Sequence, residues 1–173
     1  MPLRLPAALC AGLFSLLLLG TLTTATWAEP AMGAPVDGIQ CESTEGSLFH
    51  IHQHLSLYAH GRPLTVPAFI GIPPMGACLY WVHTHTPDGI IHIESPVYRD
   101  FSLGNFFDIW GTPLSPTVVG DVRVPKGQLR AYVNGRRYLG NPRSIALTVH
   151  ADIVIEAGAP FFTPRPFTDW RGQ

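Results

Sequence analysis

From Leu48 to Tyr58 the chain reads LFHIHQHLSLY, with Phe49, Ile51, Leu55 and Leu57 alternating against His50, His52, His54, Ser56 and Tyr58. A period of two marks a strand with one apolar face. The segment is therefore expected to be extended, with three imidazoles on its other face. AHGRP then reads as a turn and LTVPAFIGI as a second extended segment, which Pro67 would confine to an edge or interrupt. PPMGA is a loop. CLYWVHTH, aromatic and β-branched, predicts a strand. TPDG (Thr86 to Gly89) is the strongest turn signal in the chain, and IIHIES is the returning strand.

The pattern then changes. In SLGNFFDIWG, Leu103, Phe106, Phe107 and Trp110 are spaced for one buried helical face, Ser102 is placed to cap it, and Gly111 and Pro113 to end it. QLRAYVNGRRY predicts a hairpin turning at Asn134-Gly135. It echoes HLSLYAHGRPL in its strand, its turn glycine and the basic residue after the turn. IALTVHADIVIEAG follows, and the Pro-rich, aromatic tail is expected to drape over the body. The fold class expected is α+β, mostly β, built of antiparallel hairpins with one short helix. The run from Ile90 onward is compatible with a β-grasp-like arrangement in the C-terminal half.

At 173 residues the chain has the length of one domain. Its 46% hydrophobic and 13% charged residues exclude a solvated, disordered chain, since the usual charged share is about 25%. With 17 Gly and 17 Pro, short elements and many turns are favoured. The formal net charge is -1 with no run of Lys and Arg, so no nucleic-acid footprint is present.

The chain opens with Arg4, an apolar run from Ala11 to Leu19, and small residues leading to Ala28. This is the layout of a signal peptide over 1–28, with an uncleaved anchor as the alternative. Beyond it, 29–40 reads as a flexible leader, 41–158 as a single β-rich metal-binding domain, and 159–173 as the tail. Cleavage would remove Arg4 and no acid, taking the formal charge from -1 to -2. The localisation expected is periplasmic or secreted, with no membrane span after cleavage. An oxidising compartment makes a Cys41–Cys78 disulfide the default, against thiolate ligation of a metal. Parity supports the disulfide: in an unbroken strand Cys78 faces away from His83 and His85.

Six of the eight histidines fall in two windows: His50, His52 and His54, then His83, His85 and His92 with Glu94. Within each segment the spacing is two, which puts side chains on one strand face about 7 Å apart. Imidazole nitrogens so placed can converge on one ion or two adjacent ions, and a carboxylate can fill a further position. The loop between His85 and His92 decides whether the second window shares a face. An even loop keeps His83, His85, His92 and Glu94 together; a three-residue Pro-Asp-Gly loop with a bulge separates them. Turn chemistry alone favours the three-residue loop, whereas the clustering of ligand-type side chains favours the even one and the shared face. The plain alternative is a polar strand face with no ion. Glu94 is a candidate ligand, orienting partner or general base. His60, in a turn, and His150, at a strand connection, read as exposed and structural.

FHIHQHLSLYAHG, VPAFIGI, CLYWVHTHTPDGIIHIESP, FSLGNFFDIWG and AYVNG together resemble a family of uncharacterised exported bacterial proteins with an HxHxH strand, a CLYW-HTH strand and an LG-FFD-WG helix. The resemblance covers nearly all of the chain beyond the signal peptide and implies one domain, without an activity. Locally, FHIHQ is similar to the copper-binding strand of copper-zinc superoxide dismutases, which would implicate His50 and His52. The zinc-ligand region and the glycine-rich, arginine-containing end of those enzymes have no counterpart here, so the likeness is one of strand chemistry.

The function expected is an exported metal-binding protein, ligating copper or zinc through clustered histidines for sequestration, delivery or homeostasis, with a protein partner for metal transfer. Imidazole donors with few methionines suit Cu(II) or Zn(II) over Cu(I). The alternatives are a metalloenzyme with an open copper or zinc site, and a non-metal interaction module using the aromatic tail.

Overall fold

The computed structural model describes residues 33–74 and 76–170. The expected signal peptide lies outside the described residues, as do the first residues of the leader and the last three of the tail. Strands β1 (Cys41–Glu42), β2 (Phe49–Ala59), β3 (Arg62–Leu64), β4 (Leu79–Tyr80), β5 (Val82–His83) and β6 (Ile90–Ser95) precede the helix α1 (Leu103–Trp110). After it come β7 (Leu114–Ser115), β8 (Val118–Val119), β9 (Val122–Arg123), β10 (Leu129–Val133), β11 (Arg136–Tyr138) and β12 (Asp152–Ala157). The α+β, mostly β class is the one expected.

The main sheet runs β11-β10-β12-β2-β6-β5, with β3 also paired to β2. The long strand β2 is its spine. β6 lies along one edge of its first half and β3 along the same edge of its second half, while β12 takes the opposite edge. All of these pairings are antiparallel except β12 with β2, which is parallel. This departs from the β-grasp-like unit expected in the C-terminal half. The late strands β10–β12 do not close on β6, because β2 from the N-terminal half is inserted between them.

The two echoing segments do form like hairpins. His60 and Gly61 turn β2 into β3 at φ 48° and 75°, and Asn134 and Gly135 turn β10 into β11 at φ 50° and 73°. Positive φ at both central residues is the turn that matches strand twist.

Odd-numbered β2 residues face the core. Ile51, Leu55 and Leu57 pack with Ile91 and Ile93 of β6, Ile153 and Ile155 of β12, and the α1 residues Leu103, Phe106 and Phe107. Ser102 caps α1 by accepting from the Asn105 amide, while the Asn105 side chain accepts from the Ser102 amide. Gly111 closes the helix in the left-handed conformation. Arg143, in the 3₁₀ turn Pro142–Ser144, reaches back to pair with Asp108.

Three expectations are corrected. LTVPAFIGI is not a second long strand: pairing stops at Leu64, and the chain turns through Phe69 (φ 62°) and Gly71 (φ 75°). CLYWVHTH splits at Trp81. Leu79–Tyr80 pairs with β1, whereas Val82–His83 pairs with β6. The described part of the leader is docked, not free. Val36 and Ile39 bridge, Ile39 is fully buried, and the Tyr80 hydroxyl donates to the Ala34 carbonyl at 2.6 Å. Cys41 and Cys78 form the expected disulfide beside the β1–β4 pair. Among the described residues no helix is long and apolar enough to cross a membrane.

Candidate metal centre

Register builds the site. In the β2–β6 ladder His50 lies opposite Glu94 and His52 opposite His92, and in the β5–β6 ladder His83 lies opposite His92. Directly opposed residues in an antiparallel pair project to the same face. Three neighbouring strands thus present His52, His92 and His83 in a row on the face away from the core. The register also settles the loop: with His83 opposite His92 the parity is even. Glycine at position 89 makes this turn possible. It adopts φ 82°, and a Cβ there would lie 2.4 Å from the Leu55 carbonyl. The Asp88 side chain accepts from the Ile90 amide to complete the turn.

Two overlapping groups of ligand atoms result. One is His50, His52, His92 and Glu94; the other is His83, His85, His92 and Glu94. Within each group the donor atoms lie within 4.8 Å of one another. His50 Nε2 is 3.1 Å from His52 Nε2 and 3.1 Å from Glu94 Oε1. His83 Nε2 is 3.1 Å from His85 Nε2 and 3.7 Å from Glu94 Oε2. The His92 ring stands between the pairs, its centroid 4.6 Å from those of both His52 and His85.

One tautomer is fixed by the backbone. His83 Nδ1 is 2.8 Å from the Tyr80 carbonyl, which can only accept, so Nδ1 carries the proton. A neutral His83 then offers its Nε2 lone pair to the cluster, the arrangement in which a ring nitrogen is oriented for metal by the bond its other nitrogen makes.

Burial keeps His52 and His83 neutral. The His52 pKa is pushed down to about 4, by desolvation first and then by His92 and His50. The His83 pKa is also lowered to about 4, chiefly by desolvation. At Glu94 burial disfavours the charge, but His92, His83 and His50 together outweigh it and hold the carboxyl below its usual value. His92 Nδ1 stands 3.7 Å from Glu94 Oε1, longer than a normal hydrogen bond. Both His92 Nδ1 and Glu94 Oε2 are buried with no hydrogen-bond partner. A buried carboxylate facing imidazoles, with unmatched polar atoms on both sides, is the chemistry of a cation site.

Not every histidine of the first window joins. His54 continues the same face, but its Nδ1 faces Asp152 Oδ1 at 3.2 Å and its ring stacks on Phe167 at 3.6 Å. It belongs to neither group. The tail explains this. Phe162 and Phe167 donate their amides to the carboxylates of Glu156 and Asp152, and Trp170 stacks on His150. The tail therefore occupies the part of the polar face next to the cluster. His60 and His150 are both exposed.

Three contacts carry no sequence signal. Glu45 Oε1 lies 3.7 Å from His85 Nε2, from a loop with no ligand spacing. The Tyr80 carbonyl orients His83, a main-chain contact to which side-chain identity is indifferent. Asp152 holds His54 only because β12 pairs with β2. Compared with protein-family models, curated proteins and solved structures, the chain matches none.

Proposed function

We propose that this is an exported bacterial metal-binding protein that ligates Cu(II) or Zn(II) through His50, His52, His83, His85, His92 and Glu94. Its task is sequestration, delivery or homeostasis outside the cytoplasm. The observation that carries the reading is Glu94: a carboxylate only 5% exposed whose charge partners are imidazoles, two of them held neutral by burial. A bound cation supplies the missing charge and occupies the unmatched His92 and Glu94 atoms together. The donor set is nitrogen and oxygen, because both cysteines of the described chain are in the disulfide. That set suits Cu(II) or Zn(II) better than a thiophilic Cu(I) site.

Metal content of full-length protein, purified without an affinity tag and measured by mass spectrometry, tests this. Copper or zinc near stoichiometry, lost when His50, His52, His83 and His85 are all changed to Ala, supports it. No metal in the native protein or after reconstitution with either ion overturns it and favours a partner-binding role for the aromatic tail.

A second reading rests on the exposed rim. The His50 side chain is 51% exposed and that of His85 39%, so the cluster opens to solvent at both ends. An ion there with a water in its coordination sphere could dismutate superoxide or, as a metal-bound hydroxide, hydrolyse or hydrate a substrate, with Glu94 near enough to move a proton. Turnover of superoxide or of an activated ester by the metal-loaded protein, absent from the metal-free form, separates this reading from storage or delivery.

A further inference from the structure

Glu94 presents its two oxygens to two different imidazole pairs. Oε1 is 3.1 Å from His50 Nε2, which itself meets His52 Nε2 at 3.1 Å. Oε2 is 3.7 Å from His83 Nε2, which meets His85 Nε2 at 3.1 Å. With zinc–nitrogen bonds of about 2.0–2.1 Å, two nitrogens 3.1 Å apart subtend about 100° at a shared ion, close to a tetrahedral edge. Each pair therefore has the bite of a bidentate metal chelate, and the pairs sit on opposite sides of the carboxylate.

We propose that the centre is dinuclear: one ion on His50, His52 and Glu94 Oε1, the second on His83, His85 and Glu94 Oε2, with Glu94 as the bridge. The inference rests on the metal-binding reading above and fixes its stoichiometry. Three features favour two ions over one. The two ligand groups share only His92 and Glu94, so a single ion satisfies one imidazole pair and leaves the other unused. The His92 ring is equidistant, at 4.6 Å, from His52 and His85, which places it to complete either coordination sphere. A bridging carboxylate holds paired ions about 3.5–4 Å apart, the separation typical of two-metal sites. It also accounts for the buried, unpartnered Oε2.

The shared carboxylate is the sole anionic donor of both groups, so the ions repel across it and bind in sequence. The first binds tightly; the second is weaker by a factor of about ten or more.

Titration of metal-free full-length protein with Zn(II), followed by calorimetry and by metal analysis after gel filtration, is the test. Two zinc ions per chain with resolved affinities support the proposal. His83→Ala/His85→Ala and His50→Ala/His52→Ala should then each retain one ion, and Glu94→Gln should lose the weaker one. One ion per chain in the wild type overturns the dinuclear centre and leaves the metal-binding reading standing. No zinc or copper overturns both. Two ions retained in Glu94→Gln removes Glu94 as the bridge. Should Glu94→Gln fail to fold, judged by circular dichroism, the wild-type count and the two double-alanine variants decide the question.

Discussion

Glu94 and His50 are register partners across β2 and β6, and Glu94 Oε1 lies 3.1 Å from His50 Nε2. The relationship is set by backbone pairing and not by a flexible loop. His50, His52, His83, His92 and Glu94 are thus placed by a sheet whose opposite face is the hydrophobic core, while His85 follows β5 in the turn. Catalytic or binding groups held on such elements need little reorganisation to meet an ion.

Acid should destabilise the metal-free fold. His52 and His83 have folded pKa values near 4, against an ordinary 6.5. Between those values the unfolded chain takes up protons that the folded chain refuses, so stability falls as pH drops from 6.5 towards 4 and this contribution levels off below. Glu94, depressed in the folded state, adds a loss at still lower pH as it protonates. Thermal melts of metal-free protein should show a midpoint falling steadily across that window. A flat midpoint from pH 7 to pH 4 contradicts this account of the cluster.

Zinc should stabilise the fold wherever its ligands are unprotonated. Free Zn(II) at one hundred times its Kd adds about 2.7 kcal/mol to the stability of the form that binds it. Protons compete for the His52 and His83 nitrogens only as pH approaches their folded values of about 4, so the gain should persist at pH 5 and be lost by about pH 3.5. Calorimetric melts at pH 7.5, pH 5 and pH 3.5 with and without zinc check this. An undiminished shift at pH 3.5 argues for ligands other than these imidazoles.

His54 should be dispensable for metal. Its partners are Asp152 and Phe167, not the ligand groups. His54→Ala should keep the wild-type metal content, and His52→Ala should reduce it. Phe167→Ala should leave metal content unchanged while making the tail more sensitive to protease. Loss of metal in His54→Ala would place that ring in the site after all.

The disulfide should be a stability element. It closes a loop with a sequence separation of 37, worth about 4 kcal/mol on the chain-entropy estimate. It ties the docked β1 to β4, two residues from β5. Cys41→Ser should lose roughly 2–4 kcal/mol in urea denaturation. Phe106→Ala, which empties a fully buried position beneath the sheet, should lose about 3–5 kcal/mol.

Local chemistry in the sequence proved legible. Alternation defines β2, Ser102 and Gly111 bracket α1, and Asn134-Gly135 turns a hairpin, because each depends on residues adjacent in the chain. The same period-two rule puts His83, His85, His92 and Glu94 together when the loop is even. What escaped depends on distant partners. Nothing around Asp152 announces that β12 runs parallel to β2, yet that pairing takes His54 out of the cluster. The break at Trp81 arises because β1 and β6 compete for one aromatic run: the Trp81 carbonyl accepts from the Glu94 amide, while Tyr80 pairs with Cys41. The tail's aromatics were visible as composition, but their seat on His54 and His150 was not.

Anomalous diffraction from crystals of protein purified without a tag, collected above and below the zinc and copper absorption edges, would locate any ion bound to the cluster. Strong peaks are expected enclosed by His50, His52, His83, His85, His92 and Glu94, with nitrogen and oxygen neighbours at about 2.0–2.2 Å. Peaks confined to exposed sites such as His60 or His150, with the cluster empty after soaking in either ion, would contradict metal binding by the cluster.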